Sequence, residues 1–267
     1  MRKIHFAKAA ALAVTLAGPA VAADLPLKSP APVVPAFSWT GCYLGGHIGG
    51  GRGSKAMTDP VQLVQDTLAG APITTGVTTV TTTPTGVVIG GEIGCDYQFA
   101  GNVVIGIEGT ASGTTMRGSA FVGLPFTGEL ALVQSTNDFL ASVTGRIGYA
   151  FDTVLLYGRG GVAVAGDKYD VSGGDFAAGL VPGPFHFNGA DNRYGWIVGA
   201  GVDWAFTPHW SMNVEYDYYR FGNGGILMTE EFSTLTGTTL TGIVDVRQNV
   251  QVIKVGFNFH INGTGWW

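Results

Sequence analysis

Charged residues are scarce in this sequence, and long hydrophobic runs are missing from it. Of 267 residues, 14 are Lys or Arg and 19 are Asp or Glu, about half the charged fraction that is typical of soluble domains. Although 46% of the residues are apolar, no segment reaches the ~18 uninterrupted apolar residues of a membrane-spanning helix. Aromatic and β-branched residues are too plentiful for a disordered chain. Helical membrane proteins and disordered chains are therefore excluded, and a charge-poor sequence with 43 glycines favours a membrane β-barrel.

The N-terminus has the pattern of an export signal. Arg2, Lys3 and Lys8 precede a short apolar stretch, and small residues follow at Ala20-Val21-Ala22, which predicts a signal peptide over residues 1–23. Its removal leaves 11 basic and 19 acidic residues, a net charge of −8 that argues against a nucleic acid partner. Residues 24–38 are rich in proline and predict a periplasmic linker.

From residue 39 onward, apolar and polar residues alternate with period two. Between 87 and 99, for example, Val87, Ile89 and Ile93 lie on one face, and Glu92 and Asp96 lie on the other. Such alternation predicts strands, each long enough to cross a bilayer when tilted. The eight predicted strands are 39–52, 87–99, 103–111, 137–150, 154–165, 194–206, 210–221 and 246–261.

The connectors alternate between short and long. Three residues join the strands at 100–102, 151–153 and 207–209, whereas 24 to 32 residues form the other connectors, at 53–84, 112–136, 166–193 and 222–245. This is typical of the periplasmic turns and extracellular loops of an outer-membrane barrel.

Aromatic residues collect at the short-turn end and predict an interfacial girdle. They are Trp39, Tyr97, Phe99, Tyr149, Trp204, Phe206 and Trp210. Charged residues share a face with glycines, which places the polar face inside. We therefore predict an all-β, eight-stranded antiparallel transmembrane β-barrel over 39–261, followed by a C-terminal extension over 262–267.

Six charged residues on six predicted strands point to the lumen at mid-strand. They are Glu92, Glu108, Arg146, Arg159, Glu215 and Lys254. Side chains fill the interior of an eight-stranded barrel, and buried charges need partners. The six residues predict either a salt-bridge plug that closes the lumen or a gated polar pathway for small solutes.

The only two cysteines, Cys42 and Cys95, fall at nearly the same level on neighbouring antiparallel strands, with the same outward parity. The periplasm is oxidising, and an even number of cysteines in an exported chain favours pairing. We predict a Cys42–Cys95 disulfide; the alternative is two small apolar residues that face lipid.

Signals for catalysis are weak. The segment from Gly158 to Ala163 fits a loose G-x-G-x-x-A pattern, but no helix follows it, as a dinucleotide site requires. No Cys or His residues have metal-ligand spacing. His47 is the only histidine predicted to face the lumen at mid-barrel, and no obvious serine faces it, so we interpret it as structural. The sequence predicts no enzyme, no metal and no cofactor.

Eight segments carry a resemblance to a known family: WTGCYLGGHIGGG (39–51), GGEIGCDYQF (90–99), GIEGT (106–110), TGRIGYAFD (144–152), LLYGRGGVAVA (155–165), GWIVGAGVDWAF (195–206), WSMNVEYDYYRFG (210–222) and VIKVGFNFHI (252–261). They resemble the porin-family outer-membrane β-barrels of α-proteobacteria, often called outer-membrane immunogenic proteins. Two features depart from that pattern. The last strand ends on Ile261 rather than an aromatic residue, and the two cysteines stand where many relatives carry aromatics.

The resemblance implies an OmpA-type barrel that acts without catalysis as a surface protein. Its expected partners are outer-membrane lipid, lipopolysaccharide and the barrel-assembly machinery. Two alternative functions stay open: a passive diffusion channel, and a receptor or adhesin that acts through its extracellular loops. No motif in the loops identifies a ligand.

Overall fold

The structure, a computed structural model, describes residues 37–58, 79–123, 130–173, 185–230 and 241–261. These residues form nine strands: β1 (Gly41–Thr58), β2 (Thr79–Thr82), β3 (Thr85–Gln98), β4 (Val103–Gly123), β5 (Leu130–Phe151), β6 (Val154–Gly173), β7 (Phe185–Ala205), β8 (Trp210–Glu230) and β9 (Thr241–Ile261). In the described ranges no helix has the length and apolar character to cross a membrane. The predicted signal peptide and C-terminal extension lie outside the described residues, as does all but the end of the predicted linker.

The strands form a closed antiparallel ring. Each longer strand pairs with the next along the chain, and β9 pairs with β1. Strands β2 and β3 both pair with β1 and together make one of eight barrel strands. They are interrupted at Pro84, which cannot donate a ladder hydrogen bond; the amide of Gly53 donates to the Pro84 carbonyl at 2.7 Å. The predicted eight-stranded antiparallel barrel is confirmed.

The strands are strongly staggered around the barrel. Paired residues can be followed once around the ring from β9 back to β9: Phe259, Leu44, Ile93, Gly109, Val143, Val162, Trp196, Arg220 and Asn249. The path returns ten residues away from its start, from Phe259 to Asn249. A stagger of this kind tilts the strands, typically by ~35–45°, and leaves an interior that side chains can fill.

The strands extend well beyond their predicted ends. Much of the predicted loop 112–136 belongs to β4 and β5 instead. The alternation continues there with reversed polarity: Val122 and Val133 are buried inside, whereas Arg117 and Gln134 are exposed outside. The outward face of this outer part of the barrel is mixed, because Phe121 and Leu130 are exposed there together with Arg117 and Gln134. Twelve buried residues fill its lumen: Met57, Val80, Val122, Ala131, Val133, Tyr169, Val171, Phe187, Ile226, Met228, Val244 and Val246.

At the other end, short turns join the strands as predicted. Asn102 and Asp152 in two of these turns have positive φ angles of 61° and 57°, a conformation that Asn and Asp tolerate well. The predicted aromatic girdle is exposed, with one exception. Trp39 is only 1% exposed, because it has the inward parity of Tyr43, and its indole N–H donates to the Asp152 carbonyl at 3.2 Å.

Candidate functional site

The strongest concentration of polar chemistry lies in the lumen at the level of the bilayer. All six predicted lumenal charges point inward, and all are buried. They come from β3, β4, β5, β6, β8 and β9, and ion pairs link them into one continuous network. Three cations stand at its centre, and each of them contacts three carboxylates.

Arg159 on β6 joins acids from two other parts of the ring. Its Nε and Nη2 atoms each donate to one oxygen of Asp217 at 3.0 Å, a bidentate geometry that gives strong charge-assisted hydrogen bonds. Its Nη1 atom contacts Glu108 and lies 3.2 Å from Oε1 of Glu215. Arg159 therefore links β4 to β8 across the lumen.

Lys254 extends the network to the far side of β8. Its Nζ atom lies 2.8 Å from Oε1 of Glu215, 3.5 Å from Oδ2 of Asp217 and 3.8 Å from Oε2 of Glu92. Asn213 donates a hydrogen bond to the other oxygen of Glu92 at 2.7 Å. The ammonium of Lys254 thus connects Glu92 to the acids of β8.

Arg146 closes the periplasmic side of the network. Its guanidinium nitrogens lie 3.2 Å from Asp96, 3.2 Å from Glu108 and 3.9 Å from Asp203. The guanidinium carbon is 5.3 Å from the ring centre of Tyr43 and 4.3 Å from that of Tyr157, within cation–π distance. The phenol of Tyr43 donates to Glu108 at 2.5 Å, and that of Tyr157 donates to Glu215 at 2.7 Å.

Three acids of this network, Asp96, Asp203 and Asp217, were not singled out from the sequence. Their inward parity was visible. Asp96 and Asp203 lie toward the periplasmic ends of their predicted strands, whereas Asp217 follows Glu215 on the same face near the middle of its strand. Because the barrel is staggered by ten residues, equal height on different strands does not correspond to equal distance from a strand end. The stagger is not readable from the alternation, so the sequence could not place these acids at the level of Arg146 and Arg159.

His47 has a serine partner, and the expectation that no serine faces it is wrong. Nε2 of His47 lies 2.7 Å from Oγ of Ser112, and Nδ1 lies 3.0 Å from Oε2 of Glu92. These residues come from the consecutive strands β1, β4 and β3. The predicted third strand ended at residue 111, one position before Ser112, whereas β4 continues to Gly123.

Buried apolar side chains lie in the lumen on both sides of the charged network. The inward side chains of β6 pass through the layers in order: Leu155 in a periplasmic apolar cluster, Arg159, then Ala163 in a middle apolar cluster. The middle cluster contains Val88, Met116, Leu140, Ala163, Ala165, Ile197, Tyr219, Phe221, Val250 and Val252.

A second, smaller polar layer follows above the middle cluster. Nζ of Lys55 lies 2.8 Å from Oδ1 of Asp167, and Asn137 donates to the same oxygen at 2.7 Å. Both charged side chains are completely buried. The outer apolar cluster then begins at Tyr169, so the lumen alternates between apolar and polar layers along its length.

The structure joins Cys42 and Cys95 by a disulfide. They are direct register partners on β1 and β3, with Cα atoms 3.9 Å apart, and both residues face outward. Among the described residues no group of three or more His, Cys, Asp or Glu side chains is placed to hold a metal ion.

Comparisons with known proteins agree with this architecture. Residues 9–259 match the model of a family described as outer membrane protein beta-barrel domain. The chain is 26% identical over 258 residues to the 31 kDa outer-membrane immunogenic protein of Brucella melitensis, covering 94% of this chain and 97% of that protein. It is 26% identical over 253 residues to the 25 kDa outer-membrane immunogenic protein of Brucella abortus, with 92% and 91% covered. Among solved structures it is similar to the outer membrane protein OprG from Pseudomonas aeruginosa, with a TM-score of 0.44 and 17% identity over 83% of this chain and 97% of that one.

Proposed function

Since the chain belongs to the outer membrane protein beta-barrel domain family, we propose that it is a closed, non-enzymatic barrel with a structural, surface-exposed role. The charged network seals its lumen, and the outer part of the barrel presents the loops. Outer-membrane lipid and lipopolysaccharide surround it, and the barrel-assembly machinery inserts it.

The observation that carries this proposal is the continuity of the charged network across the lumen. Ion pairs run without a break from Asp96 through Arg146, Glu108, Arg159, Glu215 and Lys254 to Glu92. A solute crossing the barrel would have to separate buried ion pairs, and separating such a pair costs several kcal/mol because one charge is left uncompensated. The apolar clusters on either side would also have to admit water.

Conductance across a planar lipid bilayer tests the closed lumen. We expect the refolded protein to insert without producing steady current steps, while a sixteen-stranded porin, which leaves an aqueous channel, conducts under the same conditions. Steady steps that scale with salt concentration would overturn the proposal and favour the passive diffusion channel.

In the described part of the chain, the arrangement of Ser112, His47 and Glu92 suggests catalysis, because a serine, a histidine and a carboxylate in this order can form a nucleophilic triad. We interpret it as structural. His47 is 5% exposed and Glu92 is 3% exposed, so two of the three side chains are withdrawn from solvent, and both hydrogen-bond inside the lumen as structural residues do.

A fluorophosphonate probe tests the absence of catalysis. We expect no covalent labelling of the folded barrel, and the same background from a Ser112→Ala variant. Labelling that is stoichiometric in the parent and absent in the variant would show an activated nucleophile and overturn the non-enzymatic assignment.

The surface-exposed role is supported by the outer part of the barrel. Beyond the apolar band, β4 and β5 continue to Gly123 and from Leu130, with an apolar lumen that supports the protruding wall. The immunogenic names of the Brucella relatives are consistent with exposure at the cell surface.

A further inference from the structure

Three arginines lie on the outer surface of the barrel, where its apolar band ends. On β9 the outward residues Phe257, Val255 and Ile253 are followed by the polar residues Gln251, Asn249 and Arg247. On β1 the apolar face ends at Arg52, and on β8 it ends at Arg220. All three arginines are exposed, at the end of the barrel opposite the short periplasmic turns. They therefore lie at the level of the headgroups of the outer leaflet.

The strand register brings these arginines together. Arg52 pairs with Gln251 across the β1–β9 seam, and Arg220 pairs with Asn249 on the other side of β9. Arg52 and Arg220 are two strands apart, or about 10 Å across the sheet. Arg247 lies on the same face as Asn249, two residues further outward. We refer to Arg52, Arg220, Arg247, Asn249 and Gln251 as the arginine patch.

Within the described ranges, no carboxylate forms an ion pair with the arginine patch. The one described acid on the same face of β9, Asp245, lies two residues beyond Arg247, and Asp217, the acid nearest to Arg220 in sequence, faces the lumen. The opposite flank is different. There Lys168 on β6 lies 2.6 Å from Asp138 on β5, so that its charge is locally neutralised.

We propose that the arginine patch binds the phosphate groups of a phosphorylated glycolipid in the outer leaflet of the membrane. Guanidinium groups match phosphate with two parallel hydrogen bonds, and Asn249 and Gln251 offer further donors between them. The exposed Ile253 and Phe257 lie directly below, where acyl chains of the same lipid contact the barrel. This inference rests on the outer-membrane location of the chain and not on whether its lumen is closed.

The test compares lipids that differ only in phosphate. The full folded chain in neutral detergent is titrated with bis-phosphorylated lipid A, with dephosphorylated lipid A and with inorganic phosphate, and retained lipid is counted by native mass spectrometry. The triple variant combines Arg52→Gln, Arg220→Gln and Arg247→Gln. The matched control, on the other flank of the barrel, is Lys168→Gln. Differential migration of unboiled and boiled samples verifies folding of each variant.

We expect the parent to prefer the phosphorylated lipid. The triple variant should bind this lipid more weakly by at least about tenfold, because three charge-assisted contacts are removed. Lys168→Gln should bind like the parent. Equal binding of the two lipids by the parent, equal loss in the Lys168→Gln control, or competition by millimolar inorganic phosphate alone would each overturn the assignment of a lipid headgroup site. Conductance of the barrel would leave this result unaffected, so the two proposals fail separately.

Discussion

At the residue scale, carboxylates outnumber cations in the charged network of the lumen. Three cations, Arg146, Arg159 and Lys254, share six carboxylates, and each cation contacts three of them. Loss of one cation therefore deprives several acids of their counter-charge at once. This makes the cations the most sensitive positions of the network.

Replacement of Arg159 by Ala should destabilise the barrel. It leaves Asp217 and its neighbours buried without their partner, and breaking a buried pair in this way typically costs ~3–5 kcal/mol. Arg146→Ala should have a similar effect. The measurement is denaturant unfolding of the protein in lipid, followed by tryptophan fluorescence.

The matched control is Lys168→Ala, which removes an ion pair on the exposed outer surface and should cost less than about 1 kcal/mol. If Arg159→Ala unfolds at the same denaturant concentration as the parent, the network does not stabilise the barrel.

The two cysteines offer a prediction that is independent of the lumen. Cys42 and Cys95 are direct partners in the β1–β3 ladder, so we expect protein isolated without reductant and then denatured to contain no free thiol. After reduction, quantitative labelling should give two thiols per chain. Two thiols found before reduction would refute the disulfide.

Sequence parity predicted which side chains face inward, but not which of them meet. The inward positions of Glu108, Arg159 and Glu215 follow from alternation alone. The contacts of Arg159 with Asp217, and of His47 with Ser112, depend on register between strands that are distant in sequence. A two-residue period carries no information on register, so these partners required the structure.

At the element scale, β4 and β5 change environment along their length. In the bilayer they are apolar outside, as at Ile105 and Val143, and polar inside, as at Glu108. Beyond it the inside is apolar, as at Val122 and Val133, and the outside is mixed, with Arg117 and Gln134 beside Phe121 and Leu130. The predicted strands ended where this polarity changed, because the prediction required apolar residues on the outer face and polar residues on the inner face along the whole strand. A strand boundary and a change of solvent produce similar patterns in sequence.

Val133 tests the reversed polarity of the outer barrel. It is completely buried in the outer apolar cluster, so Val133→Asp places a charge among apolar side chains and should cost several kcal/mol. The adjacent Gln134 is exposed, and Gln134→Asp should change stability by no more than ~0.5 kcal/mol. Denaturant unfolding in lipid measures both. Equal effects would mean that Val133 does not face a packed lumen.

Glycines at two inward positions leave room for an aromatic ring from the neighbouring strand. A Cβ atom at Gly201 would lie 2.6 Å from the phenol oxygen of Tyr157, and a Cβ atom at Gly94 would overlap the ring of Tyr43. These tyrosines are the side chains that flank Arg146. On the inward face, glycine is therefore required for packing. Composition alone could not distinguish this role from a role in chain flexibility.

At the scale of the whole molecule, the sequence was sufficient to predict the architecture but not its dimensions. Eight alternating segments and connectors of unequal length imply a closed barrel with two different ends. The stagger of ten residues, the protruding outer part and the layered lumen depend on how the segments pair. They follow from closure of the ring, which constrains all strands together.

Closure of the ring predicts that the barrel unfolds as a unit. The seam between β1 and β9 runs without interruption from the Cys42–Ile261 pair to the Thr58–Asp245 pair, so the eight long strands are each paired on both sides and leave no open edge in the bilayer from which unpairing could begin. In an apolar surrounding, water cannot replace the broken ladder bonds. We therefore expect unboiled protein in dodecyl sulfate to migrate as a compact band that boiling converts, without intermediates, to a band of different mobility.

The same chain kept unfolded in urea, without detergent or lipid, serves as the control and should show only the boiled position. Identical migration of refolded samples before and after boiling, together with solubility in the absence of detergent, would contradict a closed membrane barrel.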